Sequence, residues 1–189
     1  MNTAVSIHLF NSEEYHRLVE SNILHEDDRV ELIEGRIVDM TPSGSKHIAC
    51  VNRLNEIFCE KLQKRAIVTI QNPVWLTEYS ELEPDIAIIK RRSDFYARQL
   101  PQPEDVLFIV EVSDSSLDYD AETKIPLYAK ANIQEVWLVN LIENILQIYH
   151  EPTPEGYNVI LKRHYNQKIS PKGFPDITLT VSEIVGAPF

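Results

Sequence analysis

The sequence predicts a mixed α/β (α+β) fold: a central mixed β-sheet flanked by helices, with an antiparallel meander of strands closing the chain. Three observations predict it. Residues 106–140 read as strand, helix, strand, the unit that links neighbouring strands across one face of a sheet. Two earlier stretches, from Ser12 and from Lys46, place apolar residues at helical spacing. After Asn140 the apolar residues alternate instead, in short runs cut by turns such as Pro154-Glu155-Gly156.

The length of 189 residues suits one domain, with a core over about 12–140 and a C-terminal β extension over about 141–189. No repeat, low-complexity tract or linker marks a second one. At 43% hydrophobic residues the chain can bury a full core and is not disordered. The net charge of -11 argues against coating nucleic acid by charge alone. It leaves room for a local basic groove, or for an acidic pocket that a metal neutralises. Cys50 and Cys59 lie on one expected helix, in neither a metal spacing nor a disulfide framework, so a reducing, cytoplasmic setting is expected. With no basic stretch followed by an apolar run near its start, no signal peptide is expected, and no membrane span.

The elements follow in order. Ser12 before Glu13 and Glu14 reads as a helix cap with acids in the first turn, and Tyr15, Leu18 and Val19 carry that helix to about Ile23. Residues 29–40 alternate around Glu34-Gly35, a hairpin with Val30, Leu32 and Glu34 on one face and Glu31 and Ile33 on the other. The loop Pro42-Ser43-Gly44-Ser45 leads into a helix from about Lys46 to Lys64, with Ile48, Val51, Leu54, Ile57, Phe58 and Leu62 as its apolar face. Strands follow at 66–70 and 74–76, then an acidic loop at 78–83. Pro84 fixes the entry to a strand in which Asp85, Ala87 and Ile89 share a face. The next loop carries the densest basic cluster, Lys90, Arg91, Arg92 and Arg98. Residues 106–112 are rich in branched side chains and too short to cross a membrane, so they read as a buried strand. Period two sets Leu107, Ile109, Glu111 and Ser113 on one face, and Val106, Phe108, Val110 and Val112 on the other. Pro126 removes a backbone bond from the following helix, which starts late or kinks there with Lys124 in its first turn. Strands at 145–149, 157–162, 168–170 and 177–180 complete the chain.

Glu111 is the anomaly in this scheme. A carboxylate at the end of a buried strand costs several kcal/mol unless a cation meets it. Asp85 and Lys124 supply the remaining parts that phosphodiester hydrolysis uses. Two carboxylates on neighbouring strands can hold Mg²⁺, a hard cation that prefers oxygen ligands. The metal lowers the pKa of a bound water and offsets charge on the phosphate. A lysine nearby orients the water and stabilises the transition state.

Pro84-Asp85 followed by Glu111-Val112-Ser113 resembles the PD-(D/E)XK nuclease superfamily, whose core is the restriction-endonuclease-like fold. That pattern sets its lysine two residues after the glutamate, where this chain has Ser113. Lys124, on the next helix, fits a variation in which the lysine has moved. A longer series is similar to the Uma-type restriction endonucleases, a family expanded in cyanobacteria. It runs through Glu31-Leu32-Ile33-Glu34-Gly35, His47, Pro84-Asp85 and Ile109-Val110-Glu111-Val112-Ser113, then through Asp120, Lys124, Tyr128-Ala129 and Glu135-Val136-Trp137-Leu138-Val139. The resemblance covers nearly the whole chain. It implies a Mg²⁺-dependent endonuclease acting on DNA, with Mn²⁺ as a substitute. Asp85 and Glu111 would be metal ligands, with the carbonyl of Val112 as a third. Lys124 would be catalytic, and Glu31, His47, Ser113 and Asp120 would support it. Cutting both strands of a duplex takes two active sites, so a homodimer is expected.

Plainer readings stand beside these. Asp85 after a proline can cap a turn, and Glu111 can pair with Lys124 without any metal. Asp120 and Lys124, four apart, form either a surface pair worth about 0.3–0.5 kcal/mol or a unit in which Asp120 steadies Lys124 toward Glu111. Glu31 is either a further metal ligand or an exposed carboxylate of the hairpin. Tyr128 and Trp137 read as core. Lys90, Arg91, Arg92 and Arg98 either contact phosphates or form a solvated face. The C-terminal strands complete the sheet or form a dimer surface. The alternative to an enzyme is a catalytically inactive nucleic-acid-binding or protein-interaction module on the same fold, which Ser113 and the acidic charge favour.

Overall fold

The computed structural model describes residues 6–25, 27–114 and 116–187. Helix α1 (Ser12–Glu20) leads into the hairpin of β1 (Val30–Ile33) and β2 (Arg36–Asp39), then helix α2 (Ser45–Leu62). Four strands follow: β3 (Ala66–Ile70), β4 (Val74–Thr77), β5 (Ser80–Leu82) and β6 (Ile86–Lys90). A 3-10 turn at Pro103–Asp105 opens the long strand β7 (Val106–Ser113). Next comes one helical segment in three parts: α3 (Leu117–Tyr119), a π-turn (Asp120–Lys124) and α4 (Ile125–Lys130). Strand β8 (Glu135–Asn140), the hairpin β9 (Ile145–Thr153) and β10 (Gly156–His164), the short β11 (Lys168–Ile169) and β12 (Leu179–Thr180), and α5 (Val181–Val185) end the chain.

The centre is a six-stranded sheet in the order β10-β9-β8-β7-β6-β3. It is mixed: β7 and β8 are parallel, as their helical connection requires, and the other pairs are antiparallel. One face packs on α2 and α5, with Phe58, Phe108, Trp137 and Phe174 stacked at its centre. The other face packs on α4 and on a second sheet of order β2-β1-β5-β4. The mixed sheet flanked by helices matches the expected class. The C-terminal antiparallel strands are divided, with β9 and β10 widening the main sheet while β11 and β12 form a separate ribbon. Among the described residues no helix is long and apolar enough to cross a membrane.

Five local expectations are corrected. The cap of α1 is Asn11, whose side chain accepts from the Glu14 N–H at 2.8 Å while the Glu14 carboxylate accepts from the Asn11 N–H. Ser12 is buried instead, its hydroxyl donating to the Glu78 carbonyl and accepting from Trp75 Nε1. Helix α1 stops at Glu20, before Asn22 turns to a positive φ of 57°. Ile48 is 48% exposed, and Cys50 takes its expected place in the core. The acidic loop at 78–83 is largely strand β5, buried throughout, where His16 Nε2 lies 2.9 Å from Glu81. A bulge in β7 breaks its alternation: Ile88 pairs with Phe108 but Ile89 pairs with Val106. Val106 therefore shares the face of Ile109, and Leu107 packs with Phe108's side.

The Glu34-Gly35 hairpin forms as expected, both residues at positive φ. Gly35 is required twice over, because a Cβ there would lie 2.5 Å from the Leu9 Cβ.

Candidate active site

The register of the central sheet puts the two anomalous carboxylates together. Ile86 of β6 faces Val110 of β7, and Ala87 faces Ile109. Asp85, just before β6, therefore falls beside Glu111. The pair is fixed through the backbone: Asp85 N–H donates to Glu111 Oε2 at 3.2 Å, and Val112 N–H donates to Asp85 Oδ2 at 2.9 Å. Pro84 suits this place because the strand pairing ends there.

Three further elements converge on the pair. Strand β1 brings Glu31, which is 2% exposed and accepts the Glu83 N–H at 2.8 Å. It is no exposed hairpin carboxylate. Lys124, at the end of the π-turn, reaches Glu31 Oε1 at 2.9 Å and Glu111 Oε1 at 3.6 Å. The first turn of α2 brings His47, whose Nε2 lies 2.9 Å from Asp85 Oδ1. Tyr128 of α4, fully buried, donates its hydroxyl to Glu111 Oε1 at 2.5 Å.

Of the two readings of Asp120 and Lys124, the structure excludes the surface pair and turns Lys124 toward Glu111. Asp120 and Lys124 are both buried, so no surface pair forms. The Asp120 Oδ2 accepts from Ser113 Oγ at 2.5 Å and from Ser116 Oγ at 2.6 Å. Ser113, in the place where the nuclease pattern has lysine, thus ties the end of β7 to the helical segment that carries Lys124.

Charge follows from this packing. Burial pushes the Glu111 carboxyl up; Lys124 opposes the shift, and the neighbouring Asp85 and Asp120 add to it. Burial also raises Asp120, against the pull of its two serine bonds. Burial works against the Lys124 charge, but Glu111 and Glu31 outweigh it and hold the amine well above its usual range. Burial likewise opposes a charge on His47, and the Asp85 carboxylate and the Val112 carbonyl overcome it. Lys124 is thus a fixed cation shared by two acids, and Glu111 is the carboxylate left in excess.

A cleft of about 130 Å³ opens over these groups. Six carboxylates line it, from Glu31, Asp39, Asp85, Glu111, Asp114 and Asp120, against Arg29, Lys124 and His47. The imbalance and the carboxylate-rich lining fit a hard divalent cation. Among the described residues no three His, Cys, Asp or Glu side chains converge as a closed metal cage. Mg²⁺ does not ask for one, since it is held through one or two carboxylates and keeps several waters.

The basic cluster stands elsewhere. Lys90 closes β6, five residues from Asp85 and about 16 Å along the strand. Arg92 pairs with Asp94 at 2.8 Å, and Arg91 and Arg92 stack over Phe95 and Tyr96. None of Lys90, Arg91, Arg92 and Arg98 lines the cleft; the exposed Arg29 does. Sequence reading did not single out Arg29, Asp114 or the hydroxyl of Tyr128. Only Tyr128 left a signal, four residues after Lys124.

The profile of the Uma2 family, described as putative restriction endonuclease, matches residues 12–182. No curated protein matches. Among solved structures, one described as a putative nuclease belonging to DUF820 from Anabaena variabilis ATCC 29413 is similar at a TM-score of 0.71 and 18% identity. The match covers 89% of this chain and 96% of that one, and at this identity it shows a shared fold.

Proposed function

The chain belongs to the Uma2 family of putative restriction endonucleases, and from that premise we propose that it is a Mg²⁺-dependent nuclease hydrolysing phosphodiester bonds of DNA. The observation that carries this reading is the Asp85–Glu111 pair, set side by side on antiparallel strands in an acidic cleft with Lys124 within reach. Asp85 and Glu111 would hold Mg²⁺, or Mn²⁺ in its place, with the Val112 carbonyl as a third ligand. The ion would supply activation of water and relief of negative charge on the phosphate.

The chain's own groups do the rest. Tyr128 and the Asp85 N–H hold both oxygens of Glu111, so its side chain is oriented before substrate arrives. Lys124 stays protonated through Glu111 and Glu31 and would stand as a fixed positive charge beside the reacting phosphate. His47 orients Asp85 from the α2 side. Arg29, exposed on the rim, is placed to meet a backbone phosphate as the chain's acidic surface approaches DNA. Two such sites acting on opposite strands make a homodimer the working form.

Incubating a long DNA of mixed sequence with Mg²⁺ or Mn²⁺ tests this directly, because it removes the need to know a recognition site. The wild type should cut it, and Asp85→Ala, Glu111→Ala and Lys124→Ala should not. Cleavage kept by all three variants would overturn the assignment. Ser113 in the lysine position favours a second reading, a catalytically inactive nucleic-acid-binding module; salt-sensitive DNA binding without metal-dependent cutting would select it.

A further inference from the structure

Asp120, Lys124 and Tyr128 lie at four-residue intervals, and each reaches the same end of β7. Asp120 meets Ser113, while Lys124 and Tyr128 meet Glu111. An uninterrupted α-helix would not line them up so well. At about 100° per residue, each four-residue step overshoots a full turn by about 40°, and two steps by about 80°. Here the first step runs through the π-turn, closed by the Ile125 N–H on the Asp120 carbonyl. That ring is one residue wider than an α-turn, winds more slowly and takes the overshoot back. All three side chains end up buried against β7.

A π-turn needs something to hold it, because the α-turn is the relaxed alternative. Pro126 offers no N–H, which makes the turn before it the weakest in the segment. The start of the turn is fixed by a side-chain clamp, in which a single Asp120 oxygen accepts both the Ser113 and the Ser116 hydroxyl. We propose that Asp120 is a positioning residue: its clamp to Ser113 and Ser116 holds the π-turn, and the π-turn aims Lys124 into the cleft. Ser113 thus anchors, from the strand, the segment that returns a lysine to the site. The inference rests on the nuclease reading for what Lys124 does there, and not for where it is held.

Acylation of the native, metal-free protein by acetic anhydride, mapped by mass spectrometry, reads the position of Lys124. The exposed Lys64 serves as the internal standard. In the wild type Lys124 should be strongly protected. Asp120→Ala, and deletion of the exposed Glu122 to restore an α-turn, should raise its labelling by about tenfold or more, as loss of hydrogen bonds to a charged group implies. Asp120→Asn keeps an oxygen that accepts both hydroxyls and should restore protection, a rescue that a purely electrostatic role would not give, and Asp120→Leu, which keeps bulk without an acceptor, should not restore it. Should Asp120→Ala fail to fold, Ser113→Ala and Ser116→Ala each remove one arm of the clamp and are read in the same way. Unchanged Lys124 protection in the folded clamp variants overturns the inference. A wild type that cuts no DNA overturns the nuclease reading and leaves this labelling pattern standing.

Discussion

Two buried glutamates occupy neighbouring parallel strands, one near each end of the sheet. Glu135 opens β8 and Glu111 stands near the end of β7; they are 2% and 1% exposed, and burial raises the pKa of both. Their surroundings differ. Glu135 accepts Trp137 Nε1 at 2.6 Å and the Lys172 N–H at 2.7 Å, so each oxygen meets a fixed neutral donor. Glu111 also has a neutral donor on each oxygen, Tyr128 and the Asp85 N–H, but it shares one lysine with Glu31, sits beside Asp85 and lines a cleft. Burial of an acid therefore does not mark a site. Carboxylates in excess of their cations, at an accessible edge, do.

Four measurements press on that contrast. Glu135→Ala leaves the buried Trp137 N–H unpaired and should lower unfolding stability by about 3 kcal/mol while leaving any response to metal intact, as denaturant titration with and without Mn²⁺ would show. Glu111→Ala and Asp85→Ala should instead lose the response to metal. In the wild type, metal at about 100 times its dissociation constant adds about 2.7 kcal/mol, and both variants should lose that gain in thermal unfolding. A metal response lost in Glu135→Ala and kept in Glu111→Ala would invert the comparison. Tyr128→Phe should be milder, weakening Mn²⁺ binding by roughly 10-fold to 100-fold in calorimetry with the fold retained, as for other groups that orient a ligand.

The smallest effect is a slope with pH. The folded protein holds a proton on Glu111 more tightly than the unfolded chain does, because burial raises its pKa above the ordinary 4.5. The folded state then binds more protons, so metal-free stability should fall as pH rises from about 4.5 toward the raised value. Glu111→Gln should flatten this fall, and an equally steep decline in that variant would place its origin elsewhere.

Much of this was legible in the residues. Glu34-Gly35, the branched run before Glu111, and Pro84-Asp85 gave the hairpin, the central strand and the acidic pair, because turn chemistry and strand period are local. The strand at Ser80–Leu82 was hidden, since its acid is stabilised by His16, a residue distant in sequence. The π-turn was hidden too: Pro126 announces a break, but the width of the turn is set by what Asp120 and Lys124 touch on β7 and β1. Ile48 obeys the helical period and still faces solvent, because α5 packs on the side of α2 that carries Cys50 and Arg53. The basic residues after β6 cluster in sequence yet stand at the wrong end of their strand, which composition cannot tell.

Lys124 joins Glu31, from the four-stranded sheet, to Glu111, from the six-stranded one. The amine is thus a pin between two separately hydrogen-bonded halves. The larger sheet by itself carries Asp85 and Glu111, and only the docked β1 supplies Lys124 with its second carboxylate, Glu31. On the proposed nuclease reading, a competent site would therefore require both sheets to be docked, and a copy in which either half has come away would lack it.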